Sequence, residues 1–519
     1  MQTSWDHRLL EQLRRLARQE RVDRLLASLR GRVVPSHWSF VFGVISVACL
    51  FVLTVTGVFL MFYYSPSSAT VTYQGRYPLL HGVEMSEAFA STMRISFDVR
   101  GGLLMRQAHH WAALLLPAAL LMQLLSIFFT GAFRRPRRLG WVLLFGVFGL
   151  TLVGGWSGYG LPDDMLSGTG LRIVEGVVLG IPVVGTWVSL LLFGGGYPGE
   201  ILAHLYPLHV LVVPVLIVAL VALRALVAYG QKPPQFAGPG RTQHQVVGVP
   251  LLPTAATKQV GLFFVTVGVI LVMASTLTIT PIWLYGPSDP AAAGAGSQPD
   301  WYTAFLDGAL RLVPPGWEFV WLGRTWTPAV FLPVAVVTVF LALVALYPFI
   351  EGWITGDTDE HHLLDRPRDA ATRTGVGVAG MVFYGTLWLS GSADLLATTF
   401  QLSFEGVIHV LQVVLILGPV VALVVTRQVC FTLQSRDHDL VLHGAESGVI
   451  RRLASGRYVE VHRPLEAAAR SRLRELEPVT ADPEKQKPVL TTTATSGGAL
   501  RVRLARWYAS ARSAPERDS

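Results

Sequence analysis

His109 and His209 each lie inside a long apolar run, 101–130 and 201–228. Neutral imidazoles are common metal ligands, and two of them delivered from facing helices can hold a haem iron from both sides. A lone histidine in a membrane helix is ordinarily a polar group bonded to a neighbouring helix, so its surroundings decide. Arg106 lies one turn before His109 on nearly the same helix face, where a cation could meet a haem propionate. Gly57 and Gly158, in two further apolar runs, are bare positions where a flat macrocycle could approach the backbone, or else close helix contacts. The two cysteines, Cys49 and Cys430, are far apart and lack CxxC spacing, so iron–sulfur and structural zinc sites are unsupported. Any redox centre here uses histidine, and only His109, His110, His204, His209 and His409 fall in or at the edge of an apolar run.

The elements that must position these residues follow from composition. A chain of 519 residues with 51% hydrophobic and 15% charged residues and a mean hydropathy of +0.47 has more apolar surface than one soluble core can bury, which places it in a bilayer. Runs of spanning length occur near 38–62, 109–130, 141–161, 205–228, 260–283, 327–349, 374–392 and 405–429, so eight membrane helices are expected. A ninth apolar stretch, 173–193, is broken by Pro182 and several glycines and reads as interfacial. Arginines and lysines crowd residues 8–32, 134–138 and 232–241, three segments on one side, which the positive-inside rule makes cytoplasmic. Both termini then lie in the cytoplasm and the protein in the cell membrane. The formal charge of +8 is explained by this topology and by lipid headgroups, with no need of nucleic acid. Residues 1–36 read as a basic amphipathic interfacial helix, 231–257 as a cytoplasmic loop and 430–519 as a polar tail, with a flexible linker near 478–499.

The ordered set Gly43 to Gly57, Gly102-Leu103-Leu104-Met105-Arg106-Gln107-Ala108-His109, Gly158-Tyr159-Gly160-Leu161-Pro162, His209 and Pro299-Asp300-Trp301-Tyr302 resembles cytochrome b of the bacterial cytochrome bc quinol:cytochrome c oxidoreductases, over about residues 35–430. The resemblance implies an all-α membrane protein of eight transmembrane helices. Residues 37–230 would form a haem-binding four-helix bundle, and 258–429 a C-terminal membrane domain of four helices with the quinol-site loop. It implies a quinol–cytochrome-c reductase subunit working with a membrane quinol, menaquinol or ubiquinol, a Rieske iron–sulfur subunit, a cytochrome c subunit and a second copy of the complex. Asp300, in place of the family's glutamate, and Tyr302 would bind quinol and take its protons, with Pro299, Tyr159 and Pro162 shaping the pocket.

The family stacks two haems between its second and fourth helices, with ligands fourteen residues apart, a spacing that keeps one helix face over a rise of about 21 Å. Here the outer pair is His109 and His209, with Arg106, Gly57 and Gly158 around one haem b. At the inner positions stand Gln123 and, at the two family spacings after His209, Leu223 and Arg224. Leu144 replaces the glycine that clears the inner haem, and Ser126 an arginine often found there. Glutamine is a weak ligand and arginine keeps its proton, so the inner haem is expected to be absent and a complete Q cycle is not expected. Arg224 is expected to snorkel to the headgroups or pair with a carboxylate or lipid. His204 could replace a propionate contact, whereas His110 faces about 100° away from His109. The alternative is a single-haem or haem-poor paralogue acting as a scaffold or regulator of a respiratory assembly. A transporter of unrelated fold would carry inverted repeats, and none is visible.

Overall fold

Residues 23–24, 26–292, 298–466, 469, 473 and 496–509 are described by the computed structural model. The apolar runs become helices: α1 (Val41–Met61), α2 (Gly102–Phe129), α3 (Arg138–Gly160), the short α4 (Met165–Leu179) and α5 (Gly185–Phe193), then α6 (Ile201–Tyr229) and α7 (Ala256–Thr276). The amphipathic α8 (Ala304–Arg311) precedes α9 (Pro328–Thr355), α10 (Ala371–Ser390), α11 (Ala393–Phe400) and α12 (Phe404–His443). Among the described residues seven helices are long and apolar enough to cross a membrane, and α10 with α11, bent by 67°, makes an eighth. All eight expected spans are thus present, and α4 and α5, broken at 180–184, are too short to cross.

Several boundaries differ from expectation for local reasons. α2 begins at Gly102 rather than 109, because Gly101 takes a left-handed turn (φ 73°) and a Cβ on Gly102 would strike the Ile95 carbonyl at 2.0 Å. The segment from Arg106 to His109 is therefore helical. α7 ends at Thr276, short of 283, and the 231–257 loop gives way to helical turns from Leu251. That loop is also pinned by two strand pairs, Gln235–Phe236 with Leu363–Leu364 and Val249–Pro250 with Val33–Val34. Of the expected N-terminal amphipathic helix, residues 1–22 lie outside the described residues, whereas 26–31 are helical.

Packing sorts the spans. α1 lies on α2, α2 on α3 and α3 on α6, and the fifth span, α7, packs against α1 and α2. The shared core includes Val52, Leu116, Leu120, Leu124, Leu144, Val147, Phe148 and Ile217. α10 packs chiefly on α12, and α8 lies on α9 and α10. The outward faces carry exposed Val47, Phe51, Val55 and Val58 on α1 and Val410, Val413, Ile416 and Val420 on α12. Continuous apolar surface of that extent is what lipid covers.

The tail departs most from expectation. α12 continues fourteen residues past 429, a hairpin pairs Ala445–Arg452 with Tyr458–Arg463, and a last helix, α13 (Ser496–Ala509), returns to dock on α9. The final residues of the expected linker, 496–499, are therefore helical, while 478–495 lie outside the described residues. Tyr508 donates to Glu351 Oε1 at 2.5 Å, its hydroxyl is 3.3 Å from that of Tyr347, and the Arg427 guanidinium lies 5.0 Å over Trp507. Glu351 also takes Arg373 at 2.8 Å, and Arg373 reaches Asp365 at 2.7 Å, which pairs in turn with Arg134. Burial works to raise the Asp365 carboxyl, but Arg373 and Arg134 hold it below the ordinary range. Removing one member of so buried a network strands its partner's charge. Arg373→Ala is expected to cost about 3–5 kcal/mol, read as a lowered thermal midpoint in detergent, whereas Arg135→Ala, at an exposed position, should leave the midpoint unmoved.

Candidate functional site

His109 and His209 meet across the bundle. Their ring centroids are 6.1 Å apart with planes at 65°. Each reaches that position by a different local device. His109 rides on regular α2, whereas His209 sits in a π-helical turn, Leu208–Val212, between Pro207 and Pro214. Prolines withhold backbone N–H groups and favour such irregular turns, which recur at functional sites.

Hydrogen bonds fix which nitrogen of each ring is free. The Thr56 hydroxyl donates to Val52 O at 2.6 Å, so its oxygen is left to accept from His109 Nδ1–H at 3.0 Å. His209 Nδ1–H donates to Gly154 O at 3.0 Å, with Ser157 Oγ 3.2 Å away and itself bonded to Gly154 O. Both Nε2 atoms therefore carry the lone pair, the arrangement that outer hydrogen bonds impose on metal-binding histidines. A metal held by both rings needs about 4 Å between the ligating nitrogens, at roughly 2 Å per bond, and the centroid spacing accommodates it. The donor set thus fits a bis-histidine haem.

The two glycines lie against the histidine rings. A Cβ on Gly158 would lie 2.5 Å from His209 Cε1, and one on Gly57 3.2 Å from His109 Cε1. They make room for the imidazoles. Each is preceded by the hydroxyl residue that orients the same ring, Thr56 or Ser157, and this doubled hydroxyl–glycine pair is a sequence signal that ligand spacing alone overlooks. Arg106, 8% exposed, donates to Thr280 O at 3.3 and 3.4 Å and lies over the Trp283 ring, with its Nε buried and lacking a partner. His204 has its Nδ1 3.3 Å from Leu192 O and is exposed.

A second cluster flanks the histidine pair. Asp300 and Tyr302 are held in one turn, Tyr302 donating to Asp300 Oδ2 at 2.7 Å while the Thr303 N–H closes on Asp300 O. Tyr302 is 2% exposed and packs its hydroxyl where a Cβ on Gly155 would stand. Burial first, and then the Asp300 carboxylate, push its phenol well above the ordinary range, so it stays a donor. The loop is clamped on α2 by Trp301 Nε1 on Leu114 O and on α10 by Trp388 Nε1 on Trp301 O. Tyr159 donates to Gln298 O at 3.3 Å, beside Pro299. The structure thus gathers Asp300, Tyr302, Tyr159 and Pro299 around one loop. It adds His110, whose Nε2 is 3.7 Å from Asp300 Oδ1.

At the arginine-rich end of the same bundle the geometry is the opposite. Leu144, 2% exposed, is packed in the core with Leu120, Leu124, Val147, Phe148 and Ile217. Gln123 Nε2 lies 3.3 Å from where a Cβ on Gly43 would be, and Leu220 closes on Gly146 at 3.2 Å. Arg224 meets no carboxylate among the described residues; its Nε donates to Gly140 O, in the first turn of α3, at 3.4 Å. The residues at this end do not fit a second haem.

Comparison with known proteins agrees with the architecture. Residues 114–287 match the family described as cytochrome b(N-terminal)/b6/petB. The chain is 47% identical over 435 residues to the cytochrome bc1 complex cytochrome b subunit of Streptomyces coelicolor, covering 84% of this chain and 80% of that one. It is 45% identical over 436 residues to the subunit of the same name from Mycobacterium tuberculosis, covering 84% and 79%. Among solved structures, a chain of a hyperthermophilic respiratory complex III superposes with a TM-score of 0.55 at 18% identity, covering 76% of this chain and 93% of that one, a likeness of fold.

Proposed function

Because this chain belongs to the cytochrome b family of cytochrome bc1 complexes, we propose that it oxidises a membrane quinol at its Asp300 end and transfers electrons there as one subunit of a respiratory complex. The arginine-rich loops orient that end away from the cytoplasm. His109 and His209 would hold a haem b, which would supply one-electron redox chemistry at that depth. Arg106, whose buried Nε lacks a partner, would meet its carboxylates. Asp300 accepts the quinol's proton, a task that suits a carboxylate able to cycle between charged and neutral forms. Tyr302 holds the second carboxylate oxygen, Tyr159 fixes Gln298, and Pro299 starts the loop. The partners are a menaquinol or ubiquinol, a Rieske protein and a cytochrome c subunit, with lipid around the spans and a second copy of the complex. Nucleic acid has no part in this reading.

The observation that carries the single-haem form is the contrast between the two ends of one bundle. Two oriented imidazoles face each other at one end, while leucines, Gln123 and Arg224 fill the other. We expect about one haem b per chain by pyridine haemochrome, titrating with a single midpoint. Two haems overturn the ligand argument and restore an inward electron route. None favours the second reading, a scaffold or regulatory subunit, which the filled inner end would also suit.

A further inference from the structure

The two oxygens of Asp300 are used unequally. Oδ2 accepts the Tyr302 hydroxyl at 2.7 Å, whereas Oδ1 faces His110 Nε2 at 3.7 Å. That gap is too long for a direct hydrogen bond and too short for an oxygen to stand in line within it. An oxygen set to one side, however, can lie within hydrogen-bond distance of both atoms. His110 and Asp300 keep side-chain exposures of 18% and 16%, so neither is sealed from an approaching molecule.

The helix itself creates this placement. Consecutive residues point about 100° apart on a helix, and α2 has an occupied neighbour on both faces. His109 is turned to His209, and His110 to the loop that Trp301 and Trp388 clamp in place.

We infer that His110 is a quinol-binding residue. Its Nε2–H donates to the quinol hydroxyl oxygen whose own proton points at Asp300 Oδ1. The pair reads a hydroxyl group, because only an oxygen that both accepts and donates satisfies the two sides. This is a binding contact in which no covalent bond changes, and it rests on the assignment of Asp300 made above.

The test uses the purified holo-complex and a short-chain quinol, naphtho- or benzo-type, whichever turns over faster, with its di-O-methyl ether as the analogue that cannot donate. His110→Phe is expected to raise the quinol KM about tenfold, the loss of one hydrogen bond at about 1.4 kcal/mol per decade. It should weaken binding of the diether by a similar factor, since an ether oxygen accepts the same Nε2–H bond, with the b-type absorbance unchanged. His110→Gln, which keeps a donor of similar reach, should restore both to within about threefold. If the phenylalanine variant loses haem, the glutamine variant measured against wild type carries the test. An unmoved KM and diether affinity in His110→Phe, or a glutamine variant as impaired as phenylalanine, overturns the role of His110. Asp300→Asn separates the two levels: intact turnover there sinks the reading of the site and this contact with it. Collapsed turnover with an unaltered His110→Phe removes the contact alone.

Discussion

His209→Ala is expected to abolish the b-type absorbance, from about one haem per chain to none. His209 is one of two imidazoles whose Nδ1–H is already committed, to Gly154 O in its own case, so that Nε2 is presented as a ligand. Alanine removes that ligand and leaves Gly154 O and Ser157 Oγ facing the space the ring filled. A haem held by the single remaining histidine loses half its protein ligation and the orientation set by both outer hydrogen bonds. Gln123→Ala and Arg224→Ala form the decisive contrast, since neither should alter the haem-to-protein ratio. Haem loss on replacing either would show that the packed end of the bundle takes part in binding after all.

The second large effect concerns turnover rather than assembly. Asp300→Asn keeps the shape of the loop, since an amide oxygen can still accept the Tyr302 hydroxyl, but it cannot accept a proton. Loss of a positioned general base costs about 100-fold or more in rate. Quinol oxidation by the holo-complex should fall by that factor, with haem content and dithionite-reduced spectrum unchanged. A rate within threefold of wild type would falsify the assignment of Asp300. Tyr302→Phe should be milder, because it removes one donor to the carboxylate and leaves the base itself in place.

Much of this architecture was legible in the chain because its signals are local. Twenty apolar residues in a row can only be buried or lipid-facing, so all eight spans were found, with errors confined to their ends. The histidine pair was legible because few of the chain's histidines fall in apolar runs. What was missed depends on contacts between distant segments. His110 was set aside because it points away from His109, an argument that ignores what lies on the far side of α2; Trp301, bonded to Leu114, brings the loop there. That the glycines also give the histidine rings their room depends on packing between helices. The docking of α13 hangs on Tyr508 finding Glu351, 157 residues away, and nothing periodic in the tail announces it. The π-turn at His209 had a local signal in Pro207 and Pro214, which mark a disturbed helix without saying how the side chain is turned.

The packed leucines at the arginine-rich end carry an electrical meaning. Moving one elementary charge through a membrane is worth about 2.3 kcal/mol per 100 mV, and a protein that shuttles electrons inward along its axis must work against the resting potential. A bundle whose inner half is packed chiefly with apolar side chains and holds no redox group would be an insulator there. On the single-haem reading, electrons released beside Asp300 would stay on one side of the dielectric, and the step that frees them would be silent to voltage. In energetic terms the chain would resemble a wire that runs along the membrane face, not a cell that charges it.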